Sequence, residues 1–482
     1  MKFLENLFNF KARGSSLKTE IIGGIVTFIA MCYILPVNAG ILKDMGMNEA
    51  GVFASTAIVG CLVTMIMGLV ANYPIALSAG MGLNAYITYS VAGDFGFSWQ
   101  EAMILLTITG ILFLIMSLTP LRRIIIETIP KDLKLIISAG LGAFICFVGL
   151  KGAGIVTSNA STLVGIGNLS SPAVLIALIG AILTLGLMFI KHKGIANMAI
   201  PIGILFAAVI GVATYLIIYY AAGADSDLLS GLPVAPWLDN GLNSKWFANG
   251  FGDVIFYGYV GSDIPTKDFG TMILDILSNP GSYIAIFSMI FVNLFDTTST
   301  LLAIGRDAGM IDHDGKIKNY QRAVLADATG AAICAPLGTS TVTSFAESGV
   351  GVSMGAKTGL ASVVTALLFL LAAFIFPVFS IFTFGSVTAP ALIAVGAMIF
   401  VNNFKAINFD DKIAGFTGFI TVIMILLTYS ISSGLGIGII TYCVMMLFAR
   451  RHKEVSLITY IIAGLFVLSF AANELIKIIP TV

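Results

Sequence analysis

Asn72-Tyr-Pro-Ile-Ala-Leu-Ser-Ala-Gly-Met-Gly-Leu-Asn-Ala-Tyr86 opens an apolar run long enough to enter a bilayer, yet its composition argues against one continuous helix. Pro74 lacks the N–H that a helix interior needs, and Gly80 and Gly82 interrupt the run again a few residues later. Extended chain before Gly80 and a half helix after it are expected. A second run, Leu337-Gly-Thr-Ser-Thr-Val-Thr-Ser-Phe-Ala-Glu-Ser-Gly-Val-Gly351, carries Thr, Ser and Val ahead of a glycine-interrupted segment. Those residues favour strand over helix, so this run too is expected to be extended and then half helical. Extended backbone at membrane depth needs protein or a cavity beside it, and two short strands that cross and pair would meet that need. Their half-helix N-termini would then turn positive dipole ends toward a pocket midway through the membrane. The plainer reading makes the glycines a device for close helix packing. It leaves Thr339 to Thr343 without a reason.

Around these two runs the 482-residue chain is 58% apolar and 10% charged, against roughly 45–50% and 25% in soluble domains. Only helices and closed barrels satisfy their backbone in lipid, and runs this continuous lack the alternation of barrel strands. The sequence therefore reads as an all-α membrane protein of about 14 transmembrane helices, from Ile21–Gly40 to Leu435–Phe448, with the interrupted runs third and tenth. A last apolar stretch, Ile458 to Phe470, spans or lies at the interface. The polar head before the first run has no small-residue cleavage site after it, so that run is expected to be a retained helix.

Residues 1–220 form a first seven-span repeat, 221–282 an outer connecting loop, 283–449 a second seven-span repeat, and 450–482 a basic inner segment with a terminal apolar helix. An odd number of spans inverts the second repeat relative to the first, as in many secondary transporters. Within the connecting loop, Asp268 to Leu277 has helical periodicity and is expected on the bundle surface. Net charge is zero, but with the N-terminus inside, all Lys and Arg except Lys43, Lys151, Lys245, Lys267 and the tail residue Lys477 fall on the inner side. This is the positive-inside pattern of a multi-pass plasma-membrane protein with a cytoplasmic N-terminus.

The five cysteines sit singly in apolar runs, without metal-ligand spacing, and the three histidines fall in short basic loops. No His-Glu-x-x-His motif or Walker loop occurs. Gly250-Phe-Gly-Asp253 matches an intramembrane aspartyl protease motif by letter but lies in the outer loop, and Asp312-His-Asp-Gly315 lacks the remaining ligands of a calcium loop. The chain is not read as an enzyme, and no cofactor is expected beyond a proton gradient.

A carboxylate at the bilayer centre costs at least ~2.5–3.5 kcal/mol and so demands a reason. Asp296 lies mid-span and Glu347 at the break of the tenth span, while Asp327 near the start of the ninth reads as structural. Asn293, Asp296, Thr297 and Thr300 share one helix face, a stripe that serves either a pocket or interhelical hydrogen bonds. Asn84 lies one turn past Gly80, and Phe345, Phe295 and Tyr86 are candidate stacking surfaces or ordinary packing. Two acids with Asn, Thr and backbone amides suit a neutral planar heterocycle carrying both donors and acceptors. An anionic cargo would instead favour Lys or Arg in the pocket.

Ala79-Gly-Met-Gly-Leu-Asn-Ala-Tyr86, Leu294-Phe-Asp-Thr297, Ala326-Asp-Ala328, Glu347-Ser348 and Lys357-Thr-Gly-Leu360 together resemble the AzgA-like branch of the nucleobase/ascorbate transporter superfamily, the hypoxanthine, guanine and adenine permeases. The likeness runs from Thr19-Glu20-Ile-Ile-Gly-Gly24 to Leu427-Thr-Tyr-Ser-Ile431. It implies a core domain of spans 1–4 and 8–11, a gate domain of spans 5–7 and 12–14, and proton-coupled import of purine bases by an elevator-like movement. Carried over by motif, Glu347 and Asp296 become the principal base-binding and proton-coupling groups, with Asn84 in the pocket. Phe345, Ala346, Asn293, Thr300 and Gly80 complete the candidate substrate contacts. Asn293 and Ser299 depart from the resemblance, which has an acid and a glycine at those positions. The expected partners are a purine nucleobase and the lipid bilayer, with no nucleic acid, and the resemblance leaves a homodimer open. An anion exchanger of the same general fold and a passive channel are the rival readings.

Overall fold

The computed structural model describes residues 2–122, 130–159, 162–192, 195–196, 198–223, 226–234, 246–260, 267–310, 318–374 and 379–478. The turn at residues 312–315 with His313, and the charges of Arg123, Lys193, Lys245 and Lys316, lie outside the described residues, as do the side chains of Lys2, Phe295, Ser299 and Lys477.

A short helix α1 (Lys2–Phe8) precedes the first long apolar segment, which folds as α2 (Leu17–Met31) and α3 (Ile34–Lys43) with a turn at Cys32 and Tyr33 between them. Ser16 starts α2 by accepting from the Thr19 N–H, the side-chain cap that an orphan helix donor needs. Helix α4 (Glu49–Ile66), capped by Asn48, widens into a π turn through Ala71. Strand β1 (Leu77–Ala79) and the half helix α5 (Met81–Ala85) come next, the helix continuing in π geometry to Asp94. Helix α6 (Trp99–Leu118) opens with a reciprocal Ser98–Glu101 capping box. Beyond it lie α7 (Lys131–Gly152), an exposed hairpin of β2 (Val156–Asn159) and β3 (Leu163–Ile166), α8 (Pro172–Met188) and α9 (Ala199–Ala222).

The connecting segment holds two helices, α10 (Trp246–Val254) and α11 (Phe269–Ser278). Helix α11 falls where periodicity put it: Asp268 caps it, Met272 and Ile276 are buried, and Leu274 and Leu277 are exposed. Sequence did not anticipate α10, which packs on α4 where Gly250 meets Gly51 backbone to backbone. Asp253, last of the Gly-x-Gly-Asp letters, accepts a hydrogen bond from Asn48 Nδ2 at 3.1 Å. The second half comprises α12 (Pro280–Asp307), α13 (Tyr320–Ile333), β4 (Val342–Ser344), α14 (Ser348–Ser353), α15 (Gly359–Ala372), α16 (Gly385–Phe404), α17 (Lys412–Thr428), α18 (Ile431–Phe448) and α19 (Leu457–Ile478).

Among the described residues, 7 helical segments are long and apolar enough to cross a membrane, and shorter apolar helices such as α8, α15 and α17 accompany them. Their outward faces carry exposed Ile179, Ile182, Leu205, Leu371 and Phe416, while Glu20, Asn38, Asn84 and Asp327 are fully buried. Apolar outside with polar residues inside is what a bilayer solvent demands, and the chain is a multi-pass membrane protein. Helices α7 and α16 pack backbone to backbone: a Cβ on Gly142 would sit 2.8 Å from the Gly396 carbonyl oxygen, and one on Gly396 2.7 Å from that of Gly142. Small residues let two backbones approach where lipid offers no hydrophobic drive between helices. All five cysteines are free.

Candidate functional site

The two interrupted runs cross as an antiparallel pair. Leu77 stands opposite Ser344, Ser78 opposite Thr343 and Ala79 opposite Val342. The ladder continues outward, with Gly80 N donating to Thr341 O at 2.9 Å and Phe345 N to Ala76 O at 3.0 Å. Side chains satisfy the flanks. Ser348 Oγ accepts from Ala76 N, while Thr64 Oγ1 both accepts from Leu77 N at 2.9 Å and donates to Leu77 O at 3.0 Å. These bonds settle the extended chain deep in the protein, where an unpaired backbone group would cost as much as a lost hydrogen bond.

A polar hub locks the crossing from behind. The Asn38 amide donates to Thr56 Oγ1 at 2.8 Å and Thr339 Oγ1 at 2.9 Å, and its oxygen accepts from Asn84 Nδ2 and Ser340 Oγ, both at 3.0 Å. Asn38 thus ties α3, α4, α5 and the approach to β4 together. A second cluster holds β4 itself. Asp327, fully buried, accepts from Ser344 Oγ at 3.0 Å and from Thr297 Oγ1 at 2.8 Å. Thr297 Oγ1 also reaches Asn293 Oδ1 at 3.3 Å. Arg122, read from sequence as an inner-loop charge, is 5% exposed; it donates to Thr298 Oγ1 at 3.1 Å and lies over the Phe113 ring. Its charge bears on Asp327, which makes the burial of both tolerable.

In front of the crossing lies a cavity of about 340 Å³, at the small end of the range for sites that hold small molecules. One wall comes from the arms: Gly80, Met81 and Gly82 after β1, and Thr343 to Glu347 around β4. Helix α12 contributes Asp296 and Thr300 to the lining, and α7 and α16 close it with Leu141, Ile145, Val395 and Ile399 among others. Three carboxylates line the cavity, Asp296, Glu347 and the exposed Asp307 at the end of α12. Asp296 and Glu347 are near enough for the Glu347 charge to act on Asp296, and the Thr343 hydroxyl is a hydrogen-bond partner of Asp296. No Lys or Arg stands among the described lining residues.

Glu347, Asp296, Phe345, Thr300, Gly80 and Ala346 all line the cavity. Asn84 and Asn293 do not: Asn84 is spent on Asn38 and on the Ala85 N–H, and Asn293 faces Thr297. Of the stacking candidates Phe345 lines the cavity and Tyr86 does not, and the Phe295 side chain lies outside the described residues. Sequence reasoning missed Tyr33, whose hydroxyl donates to Glu347 Oε1 at 2.5 Å, and the hub Asn38. An amide inside the first apolar run was a signal for Asn38. A lone tyrosine there was none.

Discontinuous segments that meet inside a helical bundle, with acids at the meeting point, are the architecture typical of secondary transporters. The fold is shared with the transmembrane domain of a cyanobacterium bicarbonate transporter, BicA, at a TM-score of 0.58 and 15% identity, covering 86% of this chain and 96% of that one. It is shared also with SLC26A9, at a TM-score of 0.58 and 11% identity, covering 93% and 69%. At such identities the likeness concerns the fold alone. By sequence the chain belongs to the Permease family, whose model Xan_ur_permease matches residues 18–437. It is 39% identical to the guanine/hypoxanthine permease PbuG of Bacillus subtilis over 476 residues, 97% of this chain and 99% of that one. It is 33% identical to the adenine permease AdeP of Escherichia coli, covering 96% and 95%.

Proposed function

We propose that this chain imports purine nucleobases, hypoxanthine, guanine or adenine, by proton symport. The observation that carries the reading is the pair of carboxylates, Asp296 and Glu347, in a cavity formed where the β1 and β4 arms cross. A purine base offers N–H donors to carboxylates, ring nitrogens to hydroxyl and backbone donors, and a flat face to Phe345. The relatives named for guanine/hypoxanthine and adenine transport support that cargo. Glu347, with Asp296 beside it, takes up a proton as the base binds, and the inward proton gradient then drives accumulation. An anion exchanger would need a cation facing the cargo. The buried Arg122 is bonded to Thr298 and is not part of the cavity lining.

In this reading the chain has fourteen spans in a 7+7 inverted repeat, with the N-terminus on the cytoplasmic side of the plasma membrane. Spans 1–4 and 8–11 form a core that carries the crossing and α12, and spans 5–7 and 12–14 form a gate that includes α7 and α16. The core shifts against the gate, elevator-like, to expose the cavity to either side in turn. A homodimer would hold the gates still while the cores move.

The test is uptake into proteoliposomes under an inward proton gradient. Labelled hypoxanthine should accumulate above equilibrium, collapse with an uncoupler, and be displaced by guanine or adenine but not by uracil or bicarbonate. Equilibration without accumulation would leave a passive channel, and displacement by bicarbonate would favour anion exchange.

A further inference from the structure

We propose that Tyr33 is a positioning residue for Glu347: it holds one carboxylate oxygen so that the other is presented to an N–H-bearing heterocycle in the cavity. This rests on the reading of Glu347 as a receptor for a purine base. Tyr33 sits at the turn between α2 and α3, 3% exposed, and its hydroxyl donates to Glu347 Oε1 at 2.5 Å. Glu347 lines the cavity and Tyr33 does not, so the phenol grips the carboxylate from the side away from the cargo. A free glutamate side chain samples many rotamers, and fixing it before the cargo arrives removes that ordering cost from binding. Hydrogen bonds to an ionised acceptor are short and strong, which suits a hydroxyl assigned to this task.

The grip also lies within one packed region of the bundle. Helix α2 packs on α14 and α15, with Gly23 beside Ala356 and the Gly351 carbonyl, and Thr365 Oγ1 donating to Gly24 O at 2.8 Å. Tyr33 and Glu347 are thus tied into one packed unit.

A buried phenol also needs an acceptor for its own sake, and a double-mutant cycle separates the two roles. Equilibrium binding of labelled hypoxanthine is measured on purified full-length wild type, Tyr33→Phe, Glu347→Gln and the double variant, with melting temperatures recorded alongside. Tyr33→Phe is expected to weaken binding about 10-fold, the scale of one hydrogen bond to a charged group. In the Glu347→Gln background the same change should cost less than about 2-fold, because the carboxylate it positions is gone. Tyr33→His keeps a ring donor and should bind more tightly than Tyr33→Phe; Tyr33→Leu, which also removes the hydroxyl, replaces Phe in the cycle if the Phe variant does not fold. Wild-type affinity in Tyr33→Phe, or equal losses in both backgrounds, would overturn the inference. Failure of the wild type to bind any purine would instead overturn the functional reading beneath it.

Discussion

The two crossing arms share one backbone device and divide the chemistry unequally. Around β1 the chain supplies room: Ala79, Gly80 and Gly82 are small, and the arm from Asn72 to Tyr86 has no acidic or basic side chain. Around β4 it supplies charge and hydroxyls: Thr343, Ser344 and Glu347, with Asp327 bonded behind Ser344. Their supports differ too. Thr64 and Ser348 hold the first arm through neutral bonds to its backbone, whereas a buried carboxylate, two hydroxyls and a nearby guanidinium hold the second. A repeated fold can thus place two equivalent backbones at one point and let one make space while the other does chemistry. The consequence is an asymmetric response to mutation.

The largest loss is expected behind the charged arm. Asp327→Ala strands the Ser344 hydroxyl, leaves Thr297 only its longer bond to Asn293, and removes the acid whose charge bears on Arg122. Two hydrogen bonds to a charged acceptor put the cost at roughly 3–5 kcal/mol, read as a fall in melting temperature in detergent. Asn38→Ala, which touches the supports of both arms, should cost roughly 2–3 kcal/mol if each of its four bonds contributes near the membrane average. A comparable loss from Thr64→Val, which touches β1 alone, would remove the case for a shared hub.

On the spacious arm, Gly80→Ala would set a Cβ 2.9 Å from Thr343 Cγ2 and 3.0 Å from its hydroxyl oxygen. Overpacking of that kind costs about 1–3 kcal/mol, and base binding should weaken more than the fold does, because the clash falls on the cavity wall. The smallest effect sharpens the contrast most. Ser344→Ala loses the bond to Asp327 and should cost about 1–2 kcal/mol. Ser78→Ala, in the opposite strand, removes a buried hydroxyl with no protein partner among the described residues and should be neutral or slightly stabilising. Equal melting temperatures for the two serine variants would erase the distinction between the arms.

The crossing was legible because two independent signals converged. Pro74 with Gly80 denied a helix in one run, and Thr339 to Thr343 favoured a strand in the other, which is where β1 and β4 pair. Asp296 and Glu347 stood out because acids are rare in apolar runs, and both line the cavity. The polar face of α12 was read too broadly. At 3.6 residues per turn its four residues span roughly 100° of the helix. Asp296 and Thr300 occupy the side toward the cavity, while Asn293 and Thr297 turn toward Asp327. A wheel gives the width of a stripe, not where a neighbouring helix divides it. Tyr33 was illegible for another reason: its partner is 314 positions away, and nothing local distinguishes a tyrosine that packs from one that grips a carboxylate.

Glu347→Gln keeps the size of the side chain and a hydrogen-bonding end but removes the titratable group at the charged arm. In proteoliposomes with an inward proton gradient, this variant is expected no longer to concentrate labelled hypoxanthine, whatever exchange it retains. Accumulation above equilibrium at the wild-type level would contradict a coupling role for Glu347.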